Sequence, residues 1–276
     1  CGEKKLTPVL DLGHQPIVQN YLSEKGLHEP ETTYPLSLVF CEKCALLQLD
    51  YVVDPKLVFP PHYPYRNELT NMLIRNFESL AEGLRSDGHF GDGDLVVDIG
   101  SNDGTLLSSF AKRGARVVGI EPTRAARVAN KNKIKTYEEF FSGPIAKRVT
   151  SKHGKAKIIT ATNVFAHIDD TPRLIRAVKS MMTKDSVFVS ESQYLADIVE
   201  KLEFDTVYHE HLRFYSLKPL MRLAKDAGMS VVDAYRIDAA GGSIRVMMKL
   251  GAHKPSVRVS ELLQEEERLG LYDSAK

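Results

Sequence analysis

The sequence has no long apolar run, no excess of one charge and few cysteines, and each shortage argues against a class of protein. No stretch approaches the roughly 18 apolar residues that span a membrane, and no secretory signal pattern is present, so we expect a cytoplasmic protein without a membrane partner. Thirty-seven Lys and Arg face 36 Asp and Glu. This balance argues against nucleic acid as a partner, because neutralising phosphates requires a basic surface. Three cysteines, an odd number, do not suggest a disulfide framework.

The chain is long enough for one large α/β domain with a small companion, since 276 residues can bury a sizeable core. Its two ends look incomplete. Residue 1 is Cys rather than Met, and residues 256–276 have the pattern of an amphipathic helix, with Leu262, Leu263 and Leu269 on its apolar side. We therefore expect that both ends are cut from a longer protein.

The cysteines are spaced for metal binding. Cys41 and Cys44 have the C-x2-C spacing of a zinc knuckle, in which two thiolates bind one tetrahedral ion. Cys1 offers a third thiol, and the fourth ligand is expected either upstream of it or at His14. The surrounding segment is short, broken by prolines and poor in apolar residues, so a metal would help to stabilise it. We predict a structural zinc ion here, with a redox pair or a chance spacing as the alternatives.

A rigid linker follows this lobe. Residues 60–65 contain three prolines and cannot be helical, and Tyr63 and Tyr65 flank the last of them. The two phenols either pack within the linker or lie over a cleft between two lobes. Apolar residues then recur with a helical period over residues 67–84, and a loop rich in Gly and Asp precedes the next unit.

Patterns of buried strands alternate with helical patterns from residue 94 onward. Four strands are predicted, over residues 94–100, 116–120, 157–162 and 186–190. The clearest helices between them cover residues 106–113 and 171–182. This alternation indicates an α/β fold with a parallel sheet covered on both faces. Ligands of such sheets bind beyond the carboxyl ends of the strands, so a site is expected at the turns that follow them.

The turn after the first of these strands does not match the common phosphate-binding loops. Residues 100–104 include only two glycines, with Asn102 where a dinucleotide fingerprint needs another, and no Gly-Lys-Ser/Thr follows. Asp98 and Asp103 would repel a pyrophosphate. The turn instead suits a neutral or cationic ligand with an amino-acid part and a ribose, because Glu121 lies about twenty residues on, where an acidic side chain binds ribose hydroxyls.

Residues 98–104 (Asp-Ile-Gly-Ser-Asn-Asp-Gly) followed by 119–122 (Gly-Ile-Glu-Pro) resemble the S-adenosylmethionine site of class I methyltransferases. An ordinary α/β turn and an NAD enzyme are the alternatives. The resemblance implies a set of cofactor contacts at the strand ends, comprising Asp98, Gly100, Asn102, Gly104, Glu121, Phe141 and Asn163. For Phe141 and its neighbour Phe140, simple core packing is an equal alternative.

Further segments narrow the resemblance. Residues 161–170 and 191–194 follow strands, and the polar segments 204–211 and 241–245 come later in the chain. Taken with the C-x2-C pair and the Tyr-Pro-Tyr linker, they resemble, over nearly the whole chain, the zinc-containing sugar C-methyltransferases, which act on nucleotide-linked 4-keto-deoxysugars. The resemblance implies a class I methyltransferase with a Rossmann-like sheet, a small N-terminal zinc-binding lobe, S-adenosylmethionine as cofactor and a nucleotide-linked sugar as partner in deoxysugar biosynthesis.

The chain departs from that family in two respects. The family has four cysteines in two C-x2-C pairs where this chain has three, and it carries a further C-terminal α/β domain. Both departures fit the expectation of a cut chain. We divide it into a zinc-binding lobe (1–62), a linker and helix (63–90), a methyltransferase domain (91–252) and the start of a missing C-terminal domain (253–276).

Methylation at carbon next to a ketone requires a base, a partner for the enolate oxygen and tight positioning. By resemblance, His211 is the base. Glu210 and Tyr208 are its orienting or enolate-contacting neighbours, and Tyr65 reaches in from the linker. The implied substrate contacts are Tyr63, His167, Tyr194, Ser243 and Arg245.

Strand geometry sets a condition on this assignment. On a regular strand His209 and His211 share one face while Tyr208 and Glu210 share the other, so Tyr208, Glu210 and His211 can converge only if the backbone is irregular. A polar strand end and a His-Glu-His metal site are the alternatives. His167 alternatively caps a helix. At the level of function, the alternatives are a small-molecule O- or N-methyltransferase and a non-catalytic zinc-dependent binding module. The sequence indicates no oligomeric state.

Overall fold

The computed structural model describes residues 1–274, the side chain of Leu69 excepted. Within them lie eleven strands: β1 (Thr7–Pro16), β2 (Thr33–Cys41), β3 (Leu46–Leu49), β4 (Leu95–Ile99), β5 (Arg116–Ile120), β6 (Thr136–Tyr137), β7 (Ala156–Thr162), β8 (Met182–Gln193), β9 (Arg213–Phe214), β10 (Met229–Ile237) and β11 (Ser243–Leu250). The nine α-helices are α1 (Pro55–Val58), α2 (Asn71–Ser86), α3 (Thr105–Ala111), α4 (Ala125–Lys131), α5 (Gly143–His153), α6 (Thr171–Met181), α7 (Leu195–Lys201), α8 (Leu217–Asp226) and α9 (Val257–Arg268). No helix within 1–274 has the length and apolarity needed to cross a membrane.

Seven strands form one sheet in the order β10-β11-β8-β7-β4-β5-β6. The strands from β8 to β6 are parallel, which confirms the predicted α/β fold, whereas β11 runs antiparallel to both of its neighbours. All five residues of β4 are buried, as a central parallel strand requires. Because the chain order reverses between β4 and β7, the carboxyl ends of these two strands flank a crevice.

The predicted elements are present with shifted ends. Strand β8 is longer than predicted, starting at Met182 directly after α6 and reaching Gln193. Helix α6 begins where its cap predicts, because the Asp170 carboxylate accepts a 2.8 Å hydrogen bond from the amide of Arg173. Helix α2 begins at Asn71 rather than 67, because Thr70 is extended (φ −124°, ψ 107°) and separates the helix from a short 3-10 turn at Asn67–Leu69. The backbone amides of Asn67 and Glu68 are bonded to the turn after β4.

Four strands form a second, smaller sheet in the order β1-β2-β3-β9. Its first three strands come from the N-terminal lobe, where Cys41 ends β2 and Cys44 lies in the turn between β2 and β3. The fourth strand, β9, comes from far along the chain and pairs with β3. The N-terminal lobe is therefore completed by a segment that follows residue 212.

Helix α9 packs on the α/β unit through a buried carboxylate. Glu266 is fully buried and accepts hydrogen bonds from the hydroxyls of Tyr194 (2.7 Å) and Tyr272 (2.6 Å) and from the amide of Leu217 at the start of α8. The helix ends before Gly270, whose φ of 76° suits a glycine C-cap, so it is shorter than the predicted 256–276. Residues 275–276 of that prediction lie outside the described residues.

Candidate active site

A cavity of about 370 Å³ opens at the carboxyl ends of β4, β5 and β7, where the sheet topology predicts a site. Its volume is within the roughly 300–1,000 Å³ of small-molecule sites. Its other walls come from the linker before α2 and from residues 208–212. The cavity thus brings together the turn after β4, the linker tyrosines and the Tyr-His-Glu-His segment.

The turn after β4 begins with a glycine that packs closely against the loop after β7. Gly100 has a φ of 70°, and a Cβ there would lie 2.2 Å from a methyl carbon of Val164. Any side chain at this position would therefore collide with the opposite wall of the cavity. Gly104 also has a positive φ, but it packs against Ala129 and Ile134 and does not line the cavity.

Glu121, at the end of β5, lines the cavity with a buried carboxylate. Its oxygens accept one backbone hydrogen bond each, from Thr123 (2.8 Å) and Asn102 (3.0 Å). Burial raises the pKa of Glu121. Each carboxylate oxygen has a further lone pair, so the group can accept hydrogen bonds from the two neighbouring hydroxyls of a ribose. The residues present therefore fit the nucleoside of S-adenosylmethionine.

Asp98 and Asn102, both predicted to contact the cofactor, are engaged with protein groups. Asp98 accepts a 2.6 Å bond from the Thr160 hydroxyl, does not line the cavity, and has its pKa raised by burial to about 7. Asn102 does line the cavity, but its side chain accepts from the amide of Asn67 and donates to the carbonyl of Tyr65. Its amide holds the linker against the turn.

Phe141 and Asn163 lie in the cavity wall, as predicted. Asn163 follows β7 with a φ of 54°, and its backbone amide donates a 2.7 Å bond to the carbonyl of Glu191. Phe140 also lines the cavity and is 42% exposed, so it is not a core residue. Both phenylalanines are therefore available to a ligand.

Tyr208 and His211 meet at the cavity through an irregular backbone, as their convergence required. The amide of His211 bonds the carbonyl of Tyr208 (3.0 Å), so the chain turns here instead of continuing as a strand. The Tyr208 hydroxyl lies 2.9 Å from Nε2 of His211, and Nδ1 of the same ring lies 2.8 Å from the carbonyl of Thr206. Since a carbonyl can only accept, Nδ1 carries the proton, and Nε2 is a free base that accepts from the phenol.

Burial lowers the pKa of His211 to about 4, so the imidazole is neutral near pH 7. The ring of His167 lies 5.1 Å from that of His211 and stacks on Phe59 at 5.4 Å. Burial also lowers the pKa of His167 well below its ordinary value, with a smaller contribution from His211. His167 therefore belongs to the cavity wall, and Asp170 rather than His167 caps the following helix.

Glu210 and Tyr63 form a second pair in the same wall. The Tyr63 hydroxyl donates a 2.8 Å hydrogen bond to one carboxylate oxygen of Glu210. The other oxygen has no partner among the described residues, and burial raises the pKa of Glu210 to about 7. Burial raises the pKa of Tyr63 as well, and secondarily the carboxylate does the same. Tyr65 lines the cavity with 40% of its surface exposed.

Three of the predicted substrate contacts lie outside the cavity wall, because their side chains are directed to other partners. Tyr194 is fully buried, with its hydroxyl on Glu266. Ser243 donates to the carbonyl of Ala239 at 2.9 Å. Arg245 is 3% exposed and forms an ion pair of 2.9 Å with Glu191, which is also fully buried. None of the three lines the cavity. Phe59 and His209, which sequence reasoning did not select, do line it.

The three cysteines converge on one point. Their sulfur atoms lie within 4.8 Å of one another, with Cys1 and Cys41 3.5 Å apart. Burial raises the pKa of Cys44, and the neighbouring Cys41 does so secondarily. A zinc ion offsets this cost by stabilising thiolates, so the three residues fit a zinc site. The cluster found among residues 1–274 does not include His14.

Comparisons with known proteins agree with this geometry. A family model described as "Methyltransferase domain" matches residues 65–234, more than half of the chain. The chain belongs to the methyltransferase-domain family. A second family model, described as "Putative zinc binding domain", matches residues 1–59, which contain the three cysteines.

Among curated relatives of this methyltransferase domain is C-methyltransferase NovU of Streptomyces niveus, 34% identical over 98% of the chain. A Ubiquinone biosynthesis O-methyltransferase of Cupriavidus pinatubonensis is 29% identical over 51% of the chain. The chain spans 65% and 62% of the lengths of these two relatives. Magnesium protoporphyrin IX methyltransferase from Synechocystis PCC 6803, solved with bound SAH, has a TM-score of 0.50 and 15% identity, over 65% of this chain and 84% of that one. This likeness supports the class I methyltransferase fold.

Proposed function

We propose that the protein is an S-adenosylmethionine-dependent C-methyltransferase that acts on a carbon next to the ketone of a nucleotide-linked keto-deoxysugar. The observation that carries the proposal is the neutral imidazole of His211, which lines the same cavity as Glu121 and whose Nε2 accepts from the phenol of Tyr208. The reaction class is supported by the name of NovU, and the substrate class by the resemblance of the sequence motifs.

A hydrogen on carbon next to a ketone is weakly acidic, because the electron pair left behind delocalises onto oxygen. Its removal needs a base that is unprotonated at working pH and directed into the cavity. Nε2 of His211 is unprotonated, and its lone pair accepts the proton of the Tyr208 phenol, which also lines the cavity. The two groups therefore act as a relay, in which the phenol passes its proton to Nε2 while its oxygen takes the proton from carbon. The bound cofactor supplies a methyl group on a positively charged sulfur, which the electron-rich carbon accepts.

The remaining cavity residues bind and orient. Glu121 holds the ribose of the cofactor, with Gly100, Asn163 and Phe141 in contact with the rest of the molecule. Glu210, with a pKa near 7, is available as a hydrogen-bond donor when protonated, so with Tyr63 it can bind the ketone oxygen as charge develops there. Tyr65 and His167 form the part of the cavity wall that contacts the sugar of the substrate. The zinc ion at the three cysteines has a structural role.

The test is a two-step measurement with the purified protein. Nucleotide-linked 4-keto-deoxysugars are first incubated with the protein in deuterated water without cofactor, and deuterium at the carbon next to the ketone is followed by mass spectrometry. S-adenosylmethionine is then added and a methyl group is sought on the same carbon. We expect exchange and methylation, and loss of both in His211→Asn. Methylation at oxygen or nitrogen without exchange would reject the C-methyltransferase proposal.

A further inference from the structure

The turn that contains His211 is attached to the N-terminal lobe by strand pairing. It runs directly into β9, and β9 pairs antiparallel with β3. Just before β9, the carbonyl of Leu212 accepts a 3.0 Å hydrogen bond from the amide of Leu49, at the end of β3. Strands β2 and β3 flank the cysteine turn. The lobe that holds the thiol cluster therefore also holds the segment that supplies the proposed base.

His209 provides a second connection between the turn and the lobe. Its Nε2 lies 3.2 Å from the carbonyl of Pro35 in β2, so Nε2 carries the proton and donates it. The ring is 1% exposed and meets the edge of Tyr34 at 6.0 Å. Nδ1 has no partner among the described residues. The proposed chemistry uses the neighbours of His209 on both sides but does not use His209.

We propose that His209 is a positioning residue that fixes the turn of residues 207–212 on the N-terminal lobe and so sets the place of Tyr208 and His211 in the cavity. Strand β9 has only two residues, and so short a strand makes too few ladder bonds to hold a turn in one place by itself. The hydrogen bond from the buried ring of His209 to half-buried Pro35 adds a contact between the turn and β2, and its loss removes this donor from the Pro35 carbonyl.

This arrangement also couples the turn to the thiol cluster. Pro35 and Cys41 belong to the same strand, and β3, the partner of β9, begins shortly after Cys44. An ion bound by the cysteines stabilises the hairpin between β2 and β3, since metal binding and local folding are linked. Removing it is therefore expected to loosen the segment around His211 while the turn after β4, which the other sheet positions, keeps its shape.

The test compares His209→Gln with His209→Asn in the full chain. The longer amide can place an N–H near the position of Nε2, whereas the shorter one reaches only to the position of Nδ1. Hydrogen–deuterium exchange of peptides covering residues 205–216 is the main measurement, with affinity for S-adenosylhomocysteine, kcat and KM measured in parallel. We expect about tenfold faster exchange in His209→Asn, confined to this segment, and near wild-type exchange in His209→Gln.

In His209→Asn, kcat should fall by about tenfold while affinity for S-adenosylhomocysteine stays within about twofold. Substitution of the exposed His62 by Asn is the control and should change neither quantity. Equal exchange in the Gln and Asn variants would overturn the inference. Should neither variant fold, the wild-type protein dialysed against a zinc chelator must show the faster exchange at 205–216. The kcat measurement rests on the proposed function. The hydrogen–deuterium exchange measurement does not, and it tests the inference even if the wild-type protein methylates no sugar.

Discussion

The protonation state of His211 can be tested without any substrate. The site geometry assigns it a neutral ring, whose Nδ1 donates to the carbonyl of Thr206 and whose Nε2 accepts from the phenol of Tyr208. The perturbation that tests this is His211→Gln, which removes the titrating ring and keeps a polar side chain. If burial disfavours the charged ring, the wild-type protein must lose stability on acidification that the variant does not lose.

The size of this loss follows from the pKa shift. Burial lowers the pKa of His211 from 6.5 to about 4. The contribution of the neutral ring is therefore fully present above 6.5 and is lost as the pH falls toward 4, because the unfolded chain takes up a proton that the folded chain does not. Between about pH 7 and about pH 5 the wild-type free energy of unfolding should fall by about 2 kcal/mol more than that of His211→Gln.

Urea unfolding followed by circular dichroism at the two pH values gives the free energy of unfolding of each protein. The change with pH is then compared between the wild type and His211→Gln. Other titrating groups, including His167, are present in both proteins and cancel to first order. The same substitution at the exposed His28 is a matched control and should leave the pH dependence as in the wild type. If the wild type and His211→Gln lose equal stability between the two pH values, burial does not lower the pKa of His211, and the reasoning from its buried, neutral ring is refuted.

Three further outcomes are expected. Glu121→Gln should weaken binding of S-adenosylhomocysteine by about tenfold or more in isothermal titration, because hydrogen bonds to a charged acceptor are lost, and Glu138→Gln, near the surface, should not. Arg245→Met should lower the free energy of unfolding by about 3 kcal/mol, because it leaves the carboxylate of Glu191 buried without its partner, while combining it with Glu191→Gln should restore part of the loss. Chelation of zinc, or Cys41→Ser, should lower the thermal midpoint, and elemental analysis of untreated protein should find about one zinc per chain.

Local sequence patterns were sufficient for the parts of the site that depend on one strand and its turn. The buried run of β4, its closing Gly100 and the acidic residue after β5 are each visible over a few residues. Their meeting point follows from the rule that parallel strands place their carboxyl ends at one edge. The cysteine pair was likewise readable, because its spacing reflects the geometry of one ion.

The predicted contacts that lie outside the cavity wall depend on partners distant in the chain. Tyr194 turns away from the cavity because its hydroxyl finds Glu266, and Arg245 does so because its guanidinium finds Glu191. Nothing near either residue signals those partners. Strand β9 has only two residues, too few for an alternating pattern, so its addition to the N-terminal sheet was not predictable. The convergence of Tyr208 with His211 came from resemblance, since regular strand geometry argues against it.

The carboxylate of Glu266 has a practical consequence for engineering. It accepts hydrogen bonds from Tyr194 after β8, from Leu217 at the start of α8 and from Tyr272 beyond its own helix. Trimming the polypeptide ahead of α9 would leave the Tyr194 hydroxyl and the Leu217 amide without their acceptor and uncover the apolar residues beneath. Shortened versions prepared for expression or crystallisation should therefore keep everything up to and including Tyr272.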